Sequence, residues 1–169
     1  CSSDLKCFTS RDSLLLTRTF CTFVRSLLEY SSTTWSPYYK NGINKIETVQ
    51  RFFTKAIGNL RSFNYNERLQ CLNLDSLQCR RVKADLIMCY KILHGLVDID
   101  ASCFFTPSLH PSTRDNLFKL ANMSVVSERD KHFYNNRVIN IWNSIPDNIV
   151  ASSFICNFKR DINRFDFSK

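Results

Sequence analysis

The chain has 169 residues, of which 44% are hydrophobic and 13% aromatic, with 14 Phe. That length fits one domain or one domain plus an appendage, and the apolar content excludes a disordered tail; with 3 Gly and 4 Pro, collagen-like, linker-like and Gly-rich-loop proteins are excluded as well. The 23 Lys and Arg outweigh the 15 Asp and Glu, and the net charge of +8 favours polyanionic partners: nucleic acid, acidic protein or anionic lipid.

The first ten residues show no period. Thr9 or Ser10 then caps a predicted long helix over about 10–30. Leu16, Phe20, Phe23, Leu27 and Tyr30 recur at helical spacing and form its apolar stripe. Arg11, Arg18 and Arg25 recur every seven residues on the opposite face, and Glu29 stands four residues after Arg25, placed to pair with it. A polar break follows, and Trp35-Ser36-Pro37-Tyr38-Tyr39 reads as a stiff aromatic turn. A second helix begins at Asn41 or Gly42 and ends near Ile57, with Gly58 as its left-handed stop. Ile46, Val49, Phe53 and Ala56 face inward; Arg51 and Lys55 face out. Asn64 with Glu67 resembles a capping box for a short third helix. Asp75 with Gln78 repeats the device for a fourth, in which Cys79, Val82, Leu86, Cys89 and Leu93 make a one-sided stripe and Gly95 is the stop.

Over 97–113 the period disappears and Pro107 and Pro111 fall, which predicts a linker or ordered long loop. It separates a helical region, 1–96, from a C-terminal extension, 114–169. Residues 117–126 alternate in part and suggest a small strand or hairpin. Phe133, Val138, Ile141 and Trp142 predict another helix, stopped before Pro146, with Trp142 in the core. Ser152 or Ser153 caps a last helix in which Phe154, Phe158, Ile162 and Phe165 share a face, with Lys159, Arg160 and Arg164 around the rest. The fold class expected is mainly α: a helical bundle followed by a smaller, mostly helical extension with a short β-hairpin.

No apolar run approaches the roughly 18 residues of a membrane span. Cys1-Ser2-Ser3-Asp4 lacks a signal-peptide pattern. An intracellular protein, nuclear or cytoplasmic and not secreted, is expected, so that Asn122-Met123-Ser124 matches a glycosylation acceptor by chance. Residue 1 is Cys rather than Met, and the expectation is a processed chain or a piece of a longer one. None of the 8 Cys forms a Cys-x-x-Cys pair. Cys79 and Cys89 would lie about 15 Å apart along one helix, too far to share a zinc ion. They read as small apolar core residues in a reducing compartment. Phosphate-binding Gly-rich loops, zincin helices and Gly-x-Ser-x-Gly elbows are absent. Asp98-Ile99-Asp100 reads as an exposed acidic loop, since nothing nearby completes a cation shell. Cys89 or Cys103 with His94 leaves a thiol–imidazole pair open in principle, against the far commoner core cysteine. No catalytic or metal-ligating residue is assigned.

The positive signal is the distribution of charge. Arg18 and Arg25, then Arg51 and Lys55, then Arg80, Arg81 and Lys83, then Lys159, Arg160 and Arg164 are expected on outer helix faces, where they could neutralise phosphates without reading bases. Trp35, Tyr38 and Tyr39 could stack on exposed bases or pack the turn.

Several segments recur in a telling order. Phe23-Val24-Arg25-Ser26-Leu27-Leu28-Glu29-Tyr30 leads into Trp35-Ser36-Pro37-Tyr38. Ile46-Glu47-Thr48-Val49-Gln50-Arg51-Phe52-Phe53-Thr54-Lys55 follows, then Tyr65-Asn66-Glu67-Arg68-Leu69 and Leu74-Asp75-Ser76-Leu77. Tyr90-Lys91-Ile92-Leu93-His94-Gly95, Asn136-Arg137-Val138, Trp142-Asn143-Ser144-Ile145-Pro146 and Phe158-Lys159-Arg160 complete the series. In this order and spacing they resemble the C-terminal part of non-LTR retrotransposon reverse transcriptases of the jockey and CR1-like kind, from about Phe8 onward. Ser26 departs from the family, which usually has Pro there, and Ile57-Gly58-Asn59-Leu60 differs a little from its usual turn.

The resemblance implies a helical thumb that grips a template–product duplex, followed by an extension. It implies RNA, DNA or an RNA–DNA hybrid as partner, together with the palm domain of the parent polymerase, and no membrane. The family's catalytic Asp residues and its Mg belong to an aromatic-x-Asp-Asp turn, and this sequence contains no Asp-Asp pair. The chain alone is therefore expected to bind but not to polymerise, with Arg18, Arg25, Arg51 and Lys55 on phosphates and Trp35, Tyr38 and Tyr39 as stacking or packing aromatics. The alternatives are a structural or protein-interaction domain, docking through Phe154, Phe158, Ile162 and Phe165, and a retroelement remnant with no function of its own.

Overall fold

The computed structural model describes residues 12–108, 118–122, 127–128, 130–165 and 167. Expectations for Thr9, Ser10, Arg11, Pro111, Leu117, 123–126 and the Met123-Ser124 part of the acceptor motif lie outside these. The protein is mainly α. Its helices are α1 (Ser13–Thr19), continuing through a π-helical segment (Phe20–Arg25) into α2 (Ser26–Glu29), then α3 (Ser32–Trp35), α4 (Lys40–Ala56), α5 (Tyr65–Cys71), α6 (Leu77–Leu93), α7 (Tyr134–Ser144), α8 (Asp147–Val150) and α9 (Ile155–Arg164). Two compact units divide the chain, 1–81 and 82–169. The division falls inside α6, whereas the sequence placed a linker at 97–113.

In the first unit, Phe20, Phe53 and Ile57 form a buried cluster with Leu16, Cys21, Val24, Val49, Leu60 and Leu72 against it. The Phe20 and Phe53 rings stack at 4.1 Å. Of the expected stripe Leu16-Phe20-Phe23-Leu27-Tyr30, Leu16 and Phe20 lie on the buried face and the other three do not. Phe23, Leu27 and Tyr30 are 67%, 77% and 78% exposed, and the inward positions are Leu16, Phe20 and Val24. The cause is the π segment: its wider turn holds more than four residues, so the inward face advances by four rather than alternating three and four. A run of hydroxyls accompanies it. Thr19 Oγ1 donates to the Leu15 carbonyl, Thr22 Oγ1 to Arg18 and Ser26 Oγ to Thr22, a pattern that loosens and bends helices.

Asp12 accepts the Leu14 N–H and caps α1. The capping box of α5 is present in full: the Asn64 side chain accepts the Glu67 N–H and the Glu67 carboxylate accepts the Asn64 N–H. At α6 the expected Asp75–Gln78 box is replaced. Because the helix starts at Leu77, Ser76 occupies the cap and its hydroxyl accepts the Cys79 N–H. The Leu77 and Gln78 N–H groups donate instead to the Glu47 carboxylate of α4, at 3.2 and 3.3 Å.

Gly58 does not act as a left-handed stop; Ile57 ends α4 in extended backbone and Gly58 opens a 3₁₀ turn. Gly95 does stop α6, at φ +64. Leu96 N donates to Lys91 O at 2.8 Å and Gly95 N to Ile92 O at 3.2 Å, the paired bonds of a Schellman motif. Gly95→Ala is expected to cost about 1 kcal/mol, the penalty of a Cβ in left-handed backbone, read as a lower urea midpoint with an unchanged m-value.

In the second unit, Leu86, Cys89, Tyr90 and Ile92 of α6 pack with Phe105, Leu120, Val138, Ile139, Trp142, Ile145, Val150, Phe158 and Ile162. Trp142 is in this core as expected, its indole N–H donating to Phe118 O at 2.9 Å. Of the α9 face that the sequence offered for docking, Phe158 and Ile162 are fully buried in the core, whereas Phe154 is 69% exposed. Neither Ser152 nor Ser153 caps α9; Phe154 holds that place without a side-chain bond, and Tyr90 Oη donates to Ser152 O.

Within 97–108, Phe105 is buried and Val97 and Ala101 pack on the same core. Among the described residues the hairpin reduces to one antiparallel bridge, Pro107 with Leu120, flanked by Ser108 N to Lys119 O and Ala121 N to Thr106 O. Asp85 and Arg137 form a two-point ion pair, both contacts at 2.9 Å, and Tyr134 Oη donates to Asp85 O. Among the described residues no helix is long and apolar enough to cross a membrane.

Candidate nucleic-acid interface

Helix α4 sorts its side chains by chemistry around its axis. One inward edge is apolar: Val49 and Phe53 pack in the Phe20 cluster. The other inward edge is polar and buried: Glu47, Gln50 and Thr54. Glu47 accepts from Tyr65 Oη and from the first two N–H groups of α6, where the positive end of the helix dipole favours an anion. Gln50 Nε2 donates to Tyr65 Oη at 3.2 Å and Asp75 O at 2.9 Å. Thr54 Oγ1 accepts from the buried Arg68 at 3.1 Å. The outer face holds Asn41, Asn44, Lys45, Thr48, Arg51, Phe52 and Lys55, all exposed. At 100° per residue these fall within about a third of a turn of one another.

Glu47 is the sole carboxylate of α4 and it points inward, so the charges of the outer face are all positive. Among the described residues no ion pair engages Lys45, Arg51, Lys55 or, just beyond the helix, Arg61. Arg51 is held over the Tyr65 ring at 5.0 Å from its centroid; this restrains a long side chain while leaving its guanidinium exposed. Shallow grooves open at both ends of the helix. One, about 530 Å³, is lined by Pro37, Tyr38, Tyr39, Lys40, Asn41 and Gly42. The other, about 470 Å³, is lined by Phe52, Lys55, Ala56, Gly58 and Arg61.

Of the residues that the sequence proposed, Arg51 and Lys55 share this face. Arg18 is exposed on α1, and Arg25 turns toward Glu29 with its Nε 3.9 Å from the carboxylate. Arg18 and Arg25 belong to the helical stretch that meets the apolar inward edge of α4 through the Phe20 cluster. Trp35 donates its indole N–H to Tyr30 O and so pins the turn. Tyr38 and Tyr39 lie ring against ring at 4.1 Å, with Tyr39 68% exposed.

The third basic group is corrected. Arg81 and Lys83 are buried, and Arg80 makes a two-point ion pair with Glu29, because α6 is packed on most of its circumference rather than along one stripe. Lys159, Arg160 and Arg164 are exposed on α9, with Arg160 beside Asp161 at 3.4 Å. Lys45, Phe52 and Arg61 were missed. For Lys45 and Phe52 helical phase was the available signal, since 45, 48, 52 and 55 recur by three and four; Arg61 lies beyond the helix, where phase gives none.

Burial and the adjacent Glu47 carboxylate push the Tyr65 phenol well above its ordinary value of 10.0. Burial does the same to Tyr134 in the second unit. A phenol that stays neutral in the fold stabilises it fully below the unfolded value and loses that contribution as pH rises past 10. Urea midpoints are therefore expected to fall above pH 10, and less steeply in Tyr65→Phe and Tyr134→Phe than in the parent chain.

Cys89 is buried, which raises its thiol far above the usual range, the reverse of what a nucleophile needs. His94 lies between Tyr90 and Phe118 with Nε2 at 3.3 Å from Val150 O. Asp100 uses its carboxylate to accept the Ser102 N–H. Among the described residues no three His, Cys, Asp or Glu stand together as a metal site. No family model, curated protein or solved structure matches the chain.

Proposed function

We propose that this chain binds nucleic acid without reading its sequence, through the outer face of α4, as the thumb and post-thumb part of a non-LTR retrotransposon reverse transcriptase that lacks the catalytic palm. The observation that carries the reading is the segregation of charge on one helix: the carboxylate of Glu47 is buried in the fold, and Lys45, Arg51 and Lys55 are left exposed. Such a face neutralises a row of phosphates and discriminates no base. From Lys40 to Ala56 the helix rises about 25 Å at 1.5 Å per residue, the length of about seven stacked nucleotides of one strand. The test is anisotropy of labelled RNA, DNA and hybrid across a salt series. Binding is expected to weaken with a log–log slope of about −0.7 to −0.9 per phosphate contacted; a flat response ends the reading.

A second reading, a protein-docking role, is favoured by one observation. Phe23, Leu27 and Tyr30 follow one another along the first helical stretch and are more than two-thirds exposed, as an interaction face would be. In the proposed parent that partner is the palm domain.

A further inference from the structure

We infer that the groove beyond the C-terminal end of α4 is a subsite for a single unpaired nucleotide, whose base stacks on Phe52 while Lys55 and Arg61 take its flanking phosphates. The inference rests on the nucleic-acid reading and adds the kind of strand: single rather than duplex.

Phe52 is 48% exposed in the middle of a cationic face. Half of a large apolar ring is left in water beside Lys55 and Arg61, and the core position is filled by the neighbouring Phe53 rather than by Phe52. The rest of the lining is small, Ala56 and Gly58, and a Cβ added at Gly58 would meet nothing within 4 Å. The groove of about 470 Å³ is therefore open beside the Phe52 ring, with room for a flat ring laid against it. No carboxylate lines it among the described residues. An aromatic face flanked by two cations matches the two halves of a nucleotide, a π-surface and a phosphate on either side. Duplex bases are already stacked on their neighbours, so only an unpaired base can use the ring. The Tyr38–Tyr39 groove is a poorer platform, since those rings already lie against each other at 4.1 Å.

The test measures binding of the full chain to a labelled single-stranded DNA, the same sequence as RNA, the DNA duplex, and an oligonucleotide of abasic sites. Phe52→Ala should weaken both base-bearing single strands by about 5- to 150-fold, the range for removal of one base–aromatic stack. It should leave the duplex, the abasic strand and the salt slope within about twofold. Phe52→Trp should restore single-strand binding and show quenched indole fluorescence on it; the DNA and RNA arms report which sugar is preferred. Equal losses on duplex and single strand, or none on either, overturn the subsite while leaving the cationic face in place. Loss of all binding by the unmodified chain overturns both. Thermal melts of the Phe52 variants should lie within a few degrees of the parent chain, since the side chain is half exposed and outside the core cluster.

Discussion

The triple charge reversal Lys45→Glu, Arg51→Glu and Lys55→Glu is expected to lower affinity for RNA or DNA by about 100-fold at low salt, and to flatten the salt dependence by about 0.7–0.9 for each phosphate no longer neutralised. The effect follows from position. The three side chains are exposed on one face of α4 and make no ion pair among the described residues, so each can release counterions from a phosphate without first breaking a salt bridge within the protein. Arg51 is the best organised of them, held over Tyr65. Stability should move little, because exposed positions usually tolerate substitution within about 0.5 kcal/mol. The corresponding reversal at Arg25 should flatten the slope less, since that side chain already leans on Glu29. Anisotropy at several salt concentrations checks the binding, and circular dichroism during urea titration checks the fold. A triple variant that binds with the parent's slope would remove α4 from the interface.

The second large effect is on stability. Glu47→Ala is expected to cost about 3 kcal/mol or more. One carboxylate accepts from Tyr65 Oη and from the Leu77 and Gln78 N–H groups; without it these donors lose their partner where water cannot easily replace it, at about 1–3 kcal/mol for each group left unsatisfied in the interior. The negative charge also faces the first turn of α6, where it offsets the helix dipole. Glu47→Gln keeps the shape, loses the charge and satisfies fewer donors, and should fall between the two. Urea denaturation of the full chain reads both. A Glu47→Ala variant within about 0.5 kcal/mol of the parent, the range of an ordinary surface change, would show that the cap is replaced by water. The same residue joins stability to function: with Glu47 committed to the core, α4 presents no carboxylate to a phosphate.

Local chemistry was legible in the sequence. The Asn64–Glu67 box and the Gly95 stop need only residues a few positions apart, and both stand as expected. Trp142 was legible as core from its apolar neighbours and the Pro after it. Non-local features were not. The π turn of 20–25 displaces the inward face by a residue, and a run of apolar positions looks equally good for three-and-four or for four-and-four spacing. The cap on α6 comes from Glu47, some thirty residues earlier, while the nearby Asp75–Gln78 pair matched the local rule. Arg81 and Lys83 look like a solvated face until α6 is seen packed on most sides. Of the candidate interface, Arg51 and Lys55 were readable as outward. How they stand to Arg18 and Arg25 depends on which edge of α4 meets which helix, and that is a property of packing.

The most direct test is a backbone amide shift map of the full chain titrated with a short single-stranded oligonucleotide at low salt. The predicted result is a continuous set of perturbed residues along the outer face of α4 and its C-terminal groove, Lys45, Arg51, Phe52, Lys55 and Arg61, fading as salt is raised. Perturbations confined to Lys159, Arg160 and Arg164 of α9, with α4 unmoved, would contradict it.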